Sequence, residues 1–482
     1  MRIRTVALLS LAGMLLSSAV GWSFGPLSRP SAVVAPSVIE AKSGDPATDD
    51  TTLASFETGT TLRLGGRVGH ARLAPGSAGT TYVLLEARTG DVASATTPAP
   101  SHLALVIDRS GSMRGERLRS AIAGANAAVD HLGEGDVVSV IAFDSSPTRI
   151  VPATVIDAGN RERIKAAVRG ITVGGETCIS CGIDDGITEL RGTSGKVGRM
   201  IVLSDGEATA GVRDLFGFRS LATHAREKGV SVTTIGVGTS YNQKILGAIA
   251  QEAGGGHYFI EDAASMERAF ESEADHLRAT VAVAAEATIE LGAGVELVRV
   301  FDRAFQKQGN RVVVPLGSFG KGDTQTVLIE VRVPTGSTGA AKVANVELAY
   351  RDLVRAEDAK ARGTLAVEIA QGESELDPIV SGRVQRSQTA AAVLGANDLF
   401  QQGRFDEAQQ KLATAQQSLA GASARAKKAP APAGRRSELD KDFEVQESAL
   451  SNASSGLKKD APKPAADKAL RQNQEVANPF MR

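Results

Sequence analysis

The spacing of apolar positions changes twice along this chain of 482 residues, and each change marks a different kind of structure. From Leu103 to about Leu277, short apolar runs alternate with amphipathic helical stretches. LALVID (103–108) leads into GERLRSAIAGANAAVDHL, VVSVIAF (137–143) into RERIKAAVRGI, and a helix near IDDGITEL precedes MIVLS (200–204). A helix around LFGFRSLATHAREKG, the strand VSVTTIGVG, the helix NQKILGAIAQEAGG, the short strand HYFI and the helix ASMERAFESEADHL complete the series. Such alternation predicts crossover units and a mainly parallel, doubly wound sheet with helices on both faces. The short apolar strands suit a sheet covered on both sides.

On either side the period is that of strands without helices. TLRLGGRVGHARL and TYVLLEAR precede the alternating segment. VAVAAEATIEL, VELVRVF, RVVVPLG, QTVLIEVRVP, AKVANVELAYRD and GTLAVEIA follow it, separated by turn signals such as GKGD and PTGSTG. The later set predicts a β-sandwich. The early strands are too few to form a stable sheet alone and are expected to join it, so the α/β segment reads as an insertion in a sandwich. Beyond the strands, Ser387 to Ala420 has helical spacing broken at Gly403, as in a helical hairpin, and the rest is rich in Lys, Ala, Pro and Ser.

The expected organisation is an export signal or anchor at 1–23, a linker at 24–55, sandwich strands at 56–100, the α/β domain at 101–279, the remaining sandwich at 280–370, a helical hairpin at 376–420 and a largely disordered tail at 421–482. The export reading comes from Arg2 and Arg4 ahead of the apolar run Val6 to Val20, with small residues Ser17 to Ala19 near its end. It implies a periplasmic or secreted protein, in contact with a membrane only if the segment stays uncleaved. Lys plus Arg (54) nearly balances Asp plus Glu (55), which leaves no basic field for nucleic acid.

Candidate chemistry gathers at the ends of the alternating strands. Asp108, Ser110 and Ser112 put one carboxylate and two hydroxyls on a single tight loop after the first strand. A hard cation such as Mg²⁺ takes about six oxygen ligands, more than one loop supplies. Open α/β sheets set their ligand sites at this end of the strands. Two further segments end there: GlyGlyGluThr, which offers Thr177, and LeuSerAspGlyGlu, which offers Asp205. The ordered set D-x-S-x-S, a G-x-T loop and a strand ending in S-D-G resembles the metal-ion-dependent adhesion site of von Willebrand factor A (VWA) domains. The flanking strands resemble bacterial proteins related to the inter-alpha-trypsin inhibitor heavy chains.

The resemblance implies that Ser110, Ser112 and Thr177 approach a divalent cation, with Asp108 and Asp205 bound directly or through water. The ion would be Mg²⁺ first, then Mn²⁺ or Ca²⁺. An open coordination position would take an Asp or Glu carboxylate presented by a protein partner, and the chain would not be an enzyme. Cys178 and Cys181, the only two cysteines, follow Thr177 directly. Outside the cytoplasm they are expected to form a local disulfide, although the same Cys-x-x-Cys spacing at a helix start also suits redox exchange.

Two rival readings stay open at this level. One is a metal-dependent hydrolase, for which the sequence offers no acid or base beside the metal loops beyond Glu176 and Glu207. The other is a redox-sensing module working through Cys178 and Cys181. H-E-x-x-H and phosphate-loop motifs are absent, Gly236 and Gly238 read as a strand-end turn, and His224 and His257 belong to no ligand spacing.

Overall fold

A six-stranded sheet forms the middle of the computed structural model, which describes residues 37–39, 54–90, 100–191, 197–205, 207–238, 242–260, 263–428 and 435–480. Its elements in chain order are β1 (Ser101–Asp108), α1 (Glu116–His131), β2 (Val137–Phe143), β3 (Pro147–Val155), α2 (Arg161–Arg169), α3 (Ile179–Leu190), β4 (Val197–Ser204), α4 (Leu215–Glu227), β5 (Val230–Val237), α5 (Gln243–Ala253), β6 (His257–Ile260) and α6 (Ala263–Arg278). The strands lie in the order β6-β5-β4-β1-β2-β3, and only the β2–β3 pair is antiparallel. Every residue of β1, β2 and β5 is buried.

Strand alternation divides these apolar residues between two cores. Leu103, Leu105 and Ile107 of β1 face α1, α2 and α6 through Leu118, Ala121, Ile164, Met266 and Phe270. Ala104 and Val106 face α3, α4 and α5 through Ile179, Ile183, Phe218 and Ile249. The expected doubly wound, mainly parallel sheet is therefore present. One strand, β3, was not among those expected. It lies at the sheet edge, mostly out of the core, and carries Pro147 and Pro152, residues that an edge tolerates and a strand pattern hides.

The sandwich is built from both flanks of this insertion. A five-stranded sheet runs Glu296–Val300, Thr324–Arg332, Thr80–Thr89, Leu62–Val68, Ser55–Gly59, so early and late strands share it. The facing seven-stranded sheet contains Glu357–Ile369, Gly339–Asp352, Thr280–Leu291 and Arg311–Gly320 as its long strands. Leu62, Leu64, Val83 and Leu85 from one sheet meet Ile289, Val312, Val346 and Leu348 from the other in a single core.

Four helices follow: α7 (Pro378–Gln401), α8 (Phe405–Lys428), α9 (Arg435–Gly456) and α10 (Lys463–Phe480). Asp377 caps α7 by accepting hydrogen bonds from the backbone of Ile379 and Val380, and Pro378 supplies the fixed first φ angle. Val380 and Val384 pin α7 to Leu84 and Leu328 on the outer face of the five-stranded sheet. The disordered tail expected at 421–482 is corrected by this arrangement. Leu439, Phe443, Leu450, Leu457, Leu470 and Phe480 bury against Val393, Leu412 and Leu419 of α7 and α8. The Lys- and Ala-rich composition hid a narrow apolar stripe whose partner surface comes from the preceding hairpin. The expected export signal at 1–23, and all but a few residues of the expected linker at 24–55, lie outside the described residues.

Candidate functional site

Asp108 is the last residue of β1, paired with Phe143 of β2, and Asp205 comes directly after Ser204 at the end of β4. Because β1 and β4 are parallel neighbours, the two carboxylates emerge side by side at one edge of the sheet. The loop after β1 is shaped by its own sequence. Asp108 Oδ1 accepts a hydrogen bond from the backbone N–H of Ser110 at 2.8 Å, and fully buried Met113 anchors the 3₁₀ turn Gly111–Met113. Ser110 Oγ and Ser112 Oγ lie 3.1 Å apart, and Ser112 Oγ donates to Asp205 Oδ1 at 2.7 Å.

The loop before α3 joins this group through backbone contacts. Gly111 N–H donates to Gly175 O at 3.0 Å, and Gly174 N–H to Arg109 O at 2.7 Å. A Cβ on Gly174 would stand 1.9 Å from Asp144 Oδ2, so only glycine admits this close approach. Thr177 is held through its main chain, donating to Thr209 Oγ1 at 2.8 Å and accepting from the N–H groups of Thr209 and Ala210 at 3.0 and 3.1 Å. Cys178 and Cys181 form a disulfide at the start of α3. Gly211, at φ +68°, presses against it, where an added Cβ would be 2.5 Å from Cys178 Sγ. The disulfide thus props the segment that follows Asp205.

All five expected ligands, Asp108, Ser110, Ser112, Thr177 and Asp205, lie on these interlocked loops. Asp108, Ser110, Thr177 and Asp205 are buried and Ser112 is exposed, so the group opens to solvent at Ser112. Burial pushes the Asp108 carboxyl up to about 6, and the Asp205 carboxylate adds to the rise. Hydrogen bonds from Ser204 Oγ, at 2.6 Å to Oδ2, and from Ser110 act in the opposite sense. A buried carboxylate served by neutral donors alone, beside a second carboxylate, lacks positive charge. The donor set is all oxygen, two carboxylates with three hydroxyls, which suits a hard divalent cation. Among the described residues no group of three or more His, Cys, Asp or Glu is gathered as a metal cluster, so an ion here would depend on the hydroxyls.

Several participants escaped the reading of the sequence. Ser204 stood in the quoted S-D-G triplet without a role of its own. Arg117, on the first turn of α1, donates to Asp205 Oδ2 and had no local signal. Arg109 pairs with Asp144 at 3.2 Å beneath the Gly174 loop. Glu176 and Glu207 are exposed on the rim. His257 begins β6 and approaches Thr234 Oγ1 at 2.8 Å.

Residues 102–272 match the von Willebrand factor type A domain. An uncharacterized protein of Synechocystis sp. is 27% identical over 299 residues, which is 60% of this chain and 70% of that protein. Human inter-alpha-trypsin inhibitor heavy chain H4 is 26% identical over 167 residues, 33% of this chain but only 18% of its own length. Among solved structures, a von Willebrand factor type A protein from Catenulispora acidiphila has the same fold, with a TM-score of 0.67 at 15% identity over 88% of this chain and 98% of that one. With the domain match and the fold in agreement, the chain carries a VWA domain over residues 102–272 and is similar to a bacterial protein and to an inter-alpha-trypsin inhibitor heavy chain.

Proposed function

We propose that this chain is an exported, metal-dependent protein-binding module. A divalent cation, Mg²⁺ or else Mn²⁺ or Ca²⁺, is held by Asp108, Ser110, Ser112, Thr177 and Asp205, and it takes an Asp or Glu side chain of a protein partner. The observation that carries this reading is the solvent-open group of oxygen donors in which the buried Asp108 meets neutral donors and a second carboxylate. The bound ion would supply a Lewis-acidic position for the partner's carboxylate. Ser112 lies at the opening, Ser204 and the Ser110 backbone orient Asp108, and the Gly174–Gly175 loop fixes the approach to Thr177.

VWA domains act in general as protein-interaction and adhesion modules, and the proteins that carry them are mostly non-catalytic. That supports binding over hydrolysis. A hydrolase needs an acid or base within reach of the reacting group, and the two rim candidates, Glu176 and Glu207, are exposed loop residues. The apolar run Val6 to Val20 supports export.

The test joins two measurements on the full chain. Calorimetric titration with MgCl₂ or MnCl₂ is expected to detect one site that Asp108→Asn removes. Capture of a partner from cell-envelope extract is expected to vanish with a chelator, return with Mg²⁺, and be absent for Asp108→Asn at any Mg²⁺ concentration. Capture indifferent to both chelator and substitution sinks the proposal.

A further inference from the structure

We infer that Arg117 is a positioning residue of the candidate metal site: by holding Asp205 it loosens the grip on the cation and leaves the bound ion more positive toward a carboxylate. The inference rests on the metal-binding reading above.

Arg117 is the second residue of α1, set just behind the loop that carries Ser110 and Ser112. Its Nη1 donates to Asp205 Oδ2 and also to the backbone oxygen of Ser112 at 3.3 Å. The other Asp205 oxygen, Oδ1, already accepts from Ser112 Oγ at 2.7 Å. Both oxygens of this carboxylate are therefore engaged by the protein. The opposite side of the guanidinium lies against Gly238, where an added Cβ would stand 2.9 Å from Nη2 and 3.1 Å from Cζ. Contact on two sides distinguishes Arg117 from a surface arginine that merely leans on an acid.

Arg109, another arginine of this region, makes a useful contrast. Arg109 pairs with Asp144 and reaches Thr148 Oγ1 at 3.1 Å, and neither partner belongs to the donor set. Arg117 instead acts on a proposed ligand. The Asp205 side chain has 0% exposure and that of Arg117 36%, so the guanidinium brings rim charge to a fully buried carboxylate. Two carboxylates and one guanidinium leave the site a formal charge of minus one, which a divalent ion turns to plus one. Without Arg117 the same site would start at minus two and end neutral. The cation would then bind more tightly and attract an anionic partner less.

The experiment measures Mn²⁺ and Mg²⁺ affinity by calorimetry on the full chain for the wild type, Arg117→Lys, Arg117→Gln and Arg117→Ala, with the ion-induced rise in thermal midpoint as a second readout. Repulsion between guanidinium and cation, discounted for an arginine more than a third exposed, predicts about tenfold tighter binding in the Gln and Ala variants. The Lys variant is expected to return to within about threefold of the wild type, which a merely structural role would not produce. If Arg117→Ala does not fold, the near-isosteric Gln variant carries the same comparison. Unchanged or weaker binding in both neutral variants, with a wild type that does bind, overturns the role of Arg117 and leaves the metal reading standing. No binding by any of the four proteins overturns both.

Discussion

Asp108 and Glu273 are both fully buried acids of the same α/β domain, and their surroundings drive them in opposite directions. Glu273, on α6, accepts from Arg199 Nη1 at 2.7 Å, Tyr258 Oη at 2.7 Å and Thr233 Oγ1 at 2.9 Å. Burial alone would raise its pKa, but the guanidinium and these donors more than offset it, and the carboxyl ends below the ordinary value. Asp108 has only Ser110 and Ser204, with another carboxylate nearby, and burial prevails. Arg199 lies near the start of β4 and Asp205 just past its end, so one strand carries a compensated charge at one end and, at the other, runs beside Asp108, whose own hydrogen bonds come from neutral donors alone. Compensated burial marks a joint: Arg199 Nη2 also reaches Ser318 Oγ of the sandwich at 3.4 Å. Uncompensated burial, at Asp108, marks the place where the proposed ion would supply charge.

The largest effect should come from breaking the compensated end. Arg199→Met strands Glu273 as a buried charge, and removing one partner of a buried pair costs about 3–5 kcal/mol. Urea unfolding checks this, with the sandwich contact of Ser318 lost as well. A loss under about 1 kcal/mol would place Glu273 in a wetter setting than its three donors describe and would erase the contrast with Asp108.

The contrast also has a pH signature in metal-free protein. Glu273 has a folded pKa below its ordinary 4.5, so its contribution is present above that value and is lost as pH falls through the folded one. Burial likewise holds His257 at about 4, below its ordinary 6.5, so the stability it confers is complete above 6.5 and lost on acidification toward 4. Asp108 runs the other way. Its folded pKa of about 6 lies above the ordinary 3.8, so between those values the native state holds a proton that the unfolded chain has released. Acid there favours the fold. Denaturant unfolding of the wild type and Asp108→Asn from about pH 7 to about pH 4 should show the wild type gaining on the variant by about 1.4 kcal/mol per pH unit at most. A constant difference across that window would mean that Asp108 is already compensated.

Within the proposed site, the disulfide offers a smaller lever. Bridging residues so close in sequence restricts the unfolded chain by about 2 kcal/mol or less. The effect of Cys178→Ser with Cys181→Ser should therefore be modest in global stability. It should be larger in cation affinity, because Gly211 rests on the bridge and Ala210 and Thr209 bond to Thr177. Unfolding curves and Mn²⁺ titration on the oxidised and the double-Ser proteins separate the two effects. Equal cation affinity in both would confine the bridge to a structural role.

What was legible in the sequence follows from how local each interaction is. The α/β fold class could be read because β1, β2, β4 and β5 are short, largely apolar runs that alternate with amphipathic helices. The loop at Asp108 could be read because its bonds close within a few residues, as from Asp108 to Ser110. Arg117 could not, because its partner lies 88 residues away and nothing in its helix marks it. Nor could α9 and α10, whose stripe of Leu439, Phe443, Leu450 and Leu470 acquires meaning only against α7 and α8. Their buried polar contacts are equally non-local: Asn473 Nδ2 donates to Asn397 Oδ1 at 2.8 Å, and Asn397 Nδ2 to Leu470 O at 2.9 Å. The edge strand β3 was hidden by its own prolines.

The smallest expected effect belongs to the rim. Glu176 and Glu207 flank the site in sequence, yet both are exposed, and exposed charges interact weakly through water. Glu176→Gln and Glu207→Gln should each change stability by less than about 0.5 kcal/mol. Each should shift Mn²⁺ affinity by no more than about threefold, and less at high salt, as screening requires. If either carboxylate were a general base, its loss would abolish turnover of an ester or peptide substrate while leaving cation binding intact. The two measurements together, affinity and turnover on the same variants, separate a carboxylate that merely lies beside the site from one that serves chemistry there. A tenfold or greater loss of affinity in Glu207→Gln would bring that residue into the donor set beside Asp108 and Asp205.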